Sequence, residues 1–99
     1  MEEYDLDQLR TPWKIVGKAT DALAAELHRE CSEEHVLFGK DVLAIARRED
    51  CDNVLFAFGE RFAVVHLTFS RHREEAPFWP ATEIYDSWEQ FIREGMQSA

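Results

Sequence analysis

The chain predicts an α+β domain: a three-stranded antiparallel meander with an N-terminal and a C-terminal helix packed on the sheet. Three observations predict it. Leu23, Leu27 and Cys31 recur at four-residue steps, which places them on one stripe of a helix. Residues 53–58 and 61–69 are apolar runs joined by Gly59-Glu60, and Gly-X between two such runs marks a type II′ hairpin. Trp88, Phe91 and Ile92 form a second helical stripe, with Gly95 placed as its C-terminal stop.

In chain order, residues 1–12 are polar and expected to be loosely held, with Leu6 and Leu9 able to form one apolar turn. Trp13, Ile15 and Val16 begin the folded part. The first helix is expected over 19–31, with Thr20 as N-cap and Asp21 at the positive end of the helix dipole. Glu26, Arg29 and Glu30 would face water. Residues 32–40 read as a turn-rich stretch in which Leu37 and Phe38 cap the core edge. The strands are expected over 42–47, 53–58 and 61–69, followed by a long connection over 70–83. The last helix spans 87–94, where Asp86 and Glu89 have capping-box spacing.

The hairpin sets a register. Phe58 opposite Arg61 puts Phe56 against Ala63 and Val54 against Val65. Val54, Phe56, Phe58, Ala63, Val65, Leu67 and Phe69 then share the core face, because side chains alternate along a strand. The other face carries Leu55, Ala57, Phe62, Val64, His66 and Thr68. A solvated face would alternate to polar residues. Something is therefore expected to cover it, either another segment of this chain or a second copy.

Ninety-nine residues make one domain's worth of chain, 45% hydrophobic, so residues 1–99 are read as a single domain. The formal net charge is −9. That disfavours nucleic-acid binding through a general basic field and steers toward basic partners. No apolar run approaches a membrane span. The acidic N-terminus is unlike a signal peptide. A cytoplasmic location is expected, with Cys31 and Cys51 as reduced thiols.

Chemistry-bearing candidates are few. His66, mid-strand and across from Asn53, is the weak catalytic candidate, as a general base or ligand. The alternative is a core or interface histidine satisfied by a neighbour. His28, Cys31 and His35 are weak metal-ligand candidates by spacing. Against that, Cys31 belongs to the apolar stripe, and the usual zinc patterns are missing. Arg71 and Arg73, with His72 between them, could hold an anion or simply balance Glu74 and Glu75. Phe78 and Trp79, bracketed by prolines, would anchor an interface or fold back over the second sheet face. Ser70 lies in no glycine-framed elbow, and the isolated glycines form no phosphate loop. No cofactor is expected.

Residues 61–70 read Arg-Phe-Ala-Val-Val-His-Leu-Thr-Phe-Ser. With Leu37-Phe38-Gly39, Trp79-Pro80 and the run Tyr85-x-Ser87-Trp88-Glu89-x-Phe91, this resembles a group of small uncharacterised bacterial proteins. The resemblance covers most of the chain after Trp13. It implies a bacterial, cytoplasmic, single-domain protein and carries over no catalytic residue. In size, acidity and layout the chain is also similar, in a general way, to toxin-neutralising immunity proteins.

The leading expectation is a protein-interaction module that meets a basic partner or a second copy of itself. The alternative is a small hydrolase or ligand-binding domain centred on His66, with Arg71 or Arg73 holding an anion.

Overall fold

The computed structural model describes residues 6–68 and 80–96. Its centre is a five-stranded antiparallel sheet, in which the strands lie side by side in chain order. They are β1 (Trp13–Ile15), β2 (Leu43–Arg48), β3 (Asn53–Phe58), β4 (Arg61–His66) and β5 (Thr82–Tyr85). Helix α1 (Thr20–Glu30) packs on one face. Helix α2 (Trp88–Gln90), continued by a π-helical turn over Phe91–Gly95, packs on the other.

The class is α+β as expected, but the expected meander is only the middle of the sheet. The expected three strands became five, with β1 and β5 added at its edges. Both are short, of three and four residues, too short for alternation to show in sequence. β5 occupies part of what reads as connection. The third strand ends at His66, one residue before a last cross-strand bond from the Leu67 N–H to Asp52 O at 3.3 Å.

The hairpin register is the expected one: Phe58 pairs with Arg61, Phe56 with Ala63 and Val54 with Val65. Gly59 sits at φ +59°, the positive value that the first position of a type II′ turn needs. Val54, Phe56, Phe58, Ala63, Val65 and Leu67 are all buried against Leu23, Leu27, Cys31 and Leu37. Phe69 lies outside the described residues.

The second face is covered by this chain. Trp88 and Phe91 bury Leu55, Ala57, Phe62 and Val64, with Trp13 and Tyr85 at the flanks. The contact is aromatic and edge-on: Trp13 to Phe91 at 5.5 Å and 84°, and Phe62 to Trp88 at 5.3 Å and 61°. Such geometry sets a positive ring edge against a negative ring face. Of the stretch expected to be loosely held, Leu6 and Leu9 pack against this cluster, and Trp88 Nε1–H donates to Gln8 Oε1 at 2.7 Å.

Several local expectations need correction. Thr20 is not an N-cap. A 3₁₀ turn over Gly17–Ala19 runs directly into α1, and the Thr20 N–H donates to Gly17 O. The Thr20 hydroxyl is thereby left for Ala44 O on β2, at 2.8 Å. Glu26 and Glu30 do not face water; Glu30 is fully buried. Glu26 accepts from Arg29, with Nη2 at 2.7 Å, and Glu30 Oε1 accepts the Thr68 N–H at 2.9 Å. The N-cap of α2 is Ser87, one residue later than the expected Asp86. Ser87 Oγ accepts the Gln90 N–H at 3.1 Å, while Gln90 Oε1 accepts the Asp86 N–H at 2.7 Å. Gly95 is no left-handed stop: among the glycines only Gly17, Gly39 and Gly59 have positive φ.

Candidate functional site

His66 ends β4 on the second face, beyond the part that the C-terminal helix covers, and is exposed. Its Nδ1 lies 2.8 Å from Asn53 Oδ1, the partner that the β3–β4 register sets opposite it. Because the amide oxygen only accepts, the proton sits on Nδ1 and Nε2 is the acceptor of the neutral ring. Asn53 orients the imidazole but lacks the carboxylate charge that would steady an imidazolium. Among the described residues no hydroxyl or thiol is hydrogen-bonded to this ring. His66 is thus neither a core histidine nor part of an assembled nucleophile–base pair among those residues.

The three metal-ligand candidates are not brought together. His28 is exposed, and Cys31 is buried in the core under α1. His35 is buried, and both its ring nitrogens serve the fold. Nδ1 accepts the Leu37 N–H at 3.0 Å, so Nε2 carries the proton and faces Pro80 O at 3.0 Å. Among the described residues no group of three or more His, Cys, Asp or Glu is placed to hold a metal ion. Ser70, Arg71, His72, Arg73, Phe78 and Trp79 lie outside the described residues.

A site that sequence reasoning missed lies at the other edge of the sheet. β1 follows β2 only as far as Val16, whose N–H donates to Ile45 O at 3.1 Å. Gly17, at φ +56°, then turns the chain away toward α1. The departure leaves a shallow apolar notch of about 220 Å³, lined by Leu6, Ile15, Val16, Leu43, Ala44 and Ile45 with Gly17 and Thr20. Ile15 and Leu43 are 53% and 49% exposed. A scattered exposed apolar residue needs no explanation, but two that flank one apolar notch do. Without β1 in the sequence reading, nothing placed Ile15 beside Leu43.

Cations gather on the two strands of this edge, with acids at the strand ends. Residues 13–19 and 43–48 carry Lys14, Lys18, Arg47 and Arg48 and no acid. Lys14 Nζ meets Glu49 at 2.8 Å, a pairing that raises its pKa. Arg48 pairs with Asp50 at 2.7 Å and lies 5.9 Å over the Trp13 ring. The hydrogen bond from Arg48 holds the exposed Asp50 carboxyl below its ordinary value. The opposite edge is acidic: residues 80–96 hold Glu83, Asp86, Glu89 and Glu94 against Arg93.

Comparison with protein-family models, with curated proteins and with solved structures finds no match to this chain. A functional reading therefore rests on the geometry. Among the described residues no helix is long and apolar enough to cross a membrane.

Proposed function

We propose that this chain is a small protein-binding domain whose contact surface is the notch at the β1–β2 edge. The observation that carries the reading is the half-exposure of Ile15 and Leu43 on either side of an apolar depression. Burying the half of each side chain that is still exposed returns about 1 kcal/mol apiece, before the costs of association. The apolar second face raised the expectation of a second copy, but its centre is buried by the C-terminal helix. The surface left for a partner is its margin.

The test is a paired capture from extract of the source cells, with the wild-type chain and the double variant Ile15→Glu/Leu43→Glu as baits. Both positions are half-exposed, so the variant should keep its fold, checked by circular dichroism. The reading expects a protein retained by the wild type and lost by the variant. An identical retained set for both baits sinks it.

A second reading stays with His66, favoured by the fixed orientation that Asn53 imposes on its ring. There the domain binds a small anionic or hydrogen-bonding ligand at the end of β4. Ring-proton shifts of His66 under a fragment screen, absent in a folded His66→Ala variant, support it. A silent ring across the screen removes it.

A further inference from the structure

The pairing of β1 exposes a feature that the apolar notch alone does not explain. Val16 N–H donates to Ile45 O, and Glu49 N–H donates to Pro12 O at 2.8 Å. Positions 12, 14 and 16 therefore direct their backbone groups at β2. In an antiparallel pair the alternate positions direct theirs the other way. Trp13 and Ile15 thus aim at the open edge. The Trp13 N–H is turned back to Arg10 O at 2.8 Å. That leaves the Trp13 carbonyl and both backbone groups of Ile15 directed outward, at the end of the sheet order.

The side chains on that edge sort by face. Lys14 lies directly opposite Arg47 on the α1 side of the sheet. Trp13 and Ile15 lie on the other side, with the notch and Leu43 beyond Ile15. An extended segment laid along β1 would alternate in the same way. Side chains on one of its faces would stand beside Lys14, with Arg47 one strand further in on the same face; those on the other would drop against Ile15 and the notch. Arg47 and Lys18 have no ion-pair partner among the described residues. The Lys14–Glu49 pair is exposed on both sides, so a competing carboxylate displaces it at little cost.

We propose that the occupant of this edge is an extended segment of another protein in which acidic and apolar residues alternate, added alongside β1 as a sixth strand. The inference rests on the proposed binding surface and names its ligand class. Main-chain hydrogen bonds would give such a complex its affinity, and the cation and notch faces its direction and selectivity. At physiological salt the Debye length is about 8 Å, so the local cations, and not the net charge of −9, govern the contact. A second copy of the chain fits less well. Antiparallel pairing of β1 with a second β1 sets Lys14 against Lys14.

The experiment uses two blocked eight-residue peptides, one alternating glutamate with valine and one alternating lysine with valine. Each is titrated into the full chain at physiological salt, with amide exchange read at Ile15. The glutamate peptide is expected to bind and to slow exchange at Ile15. Ile15→Lys and Arg47→Glu should each weaken it about tenfold, and the lysine peptide should bind about tenfold more weakly than its acidic counterpart. Equal binding of the two peptides, or no protection at Ile15, overturns the proposal. So does a dimer in sedimentation that Ile15→Lys dissolves, or Ile15-dependent binding to phosphatidylglycerol vesicles in place of the peptide. If the glutamate peptide never binds while Ile15→Glu/Leu43→Glu still loses a cellular protein, the notch binds a partner of another kind. If both experiments fail, both readings fall.

Discussion

Gly95 lies flat against the ring of Tyr85: a Cβ built at position 95 would stand 2.6 Å from Tyr85 Cζ and 2.8 Å from Phe91 Cδ1. The glycine is there for space. It lets the π-helical turn close onto the sheet, with the Met96 N–H donating to Phe91 O at 2.7 Å. Both rings are buried and packed on each other at 5.8 Å, so neither has room to yield. Gly95→Ala should cost about 1–3 kcal/mol, the usual penalty of overpacking. Urea denaturation of the variant measures this. An unchanged midpoint would mean that the C-terminal turn shifts freely.

His35 joins the loop after α1 to the start of β5. His35→Ala leaves the Leu37 N–H without its acceptor in a buried position, while Pro80 O keeps the Thr82 hydroxyl at 2.8 Å. The expected loss is about 1–3 kcal/mol, the cost of one buried unsatisfied donor. Exchange of the Leu37 amide should accelerate more than that of core β3 amides. Uniform acceleration would point to global destabilisation alone.

Tyr85 predicts an alkaline limit. Its hydroxyl pKa is pushed up from 10.0 to about 12, first by burial, then by donating to Glu83 at 3.1 Å and by the charges of Glu83 and Glu94. The folded state therefore holds this proton more tightly than the unfolded chain does. Its contribution to stability is complete below pH 10 and is lost as pH rises through about 12. Stability measured from pH 9 to 12 should fall more steeply for the wild type than for Tyr85→Phe. Parallel curves would exclude the residue as the cause.

Ser87 begins the C-terminal helix by accepting the Gln90 N–H. Ser87→Ala should cost about 1 kcal/mol, and Ser87→Asp should restore most of it, since both oxygens can serve as the cap. Thermal melts of the two variants check this. Equal melting of both would remove capping as the explanation.

The middle of the sheet was legible because two signals agree on it. The apolar runs over 53–58 and 61–66 and the Gly59 turn between them specify one register, and that register also paired Asn53 with His66. Glu30 shows where such signals stop. It stands three residues after Leu27, at the border of the apolar stripe, and its charge argues for water. Its burial depends on the Thr68 N–H, which a distant part of the chain delivers. The binding edge was illegible for a similar reason. Ile15 and Leu43 are 28 residues apart, and only a three-residue strand makes them neighbours.

Local pattern and turn chemistry were enough to specify the fold class, the hairpin register, the α1 stripe and the need for a cover on the second sheet face. These are contacts between near neighbours or repeats of a fixed period, so the order of residues encodes them directly. What covers that face was decided only when the C-terminal helix and Trp13 met on it. The same packing left Ile15 and Leu43 uncovered at its margin. Such choices depend on which distant segments fit together in space, and no periodicity along the chain records them.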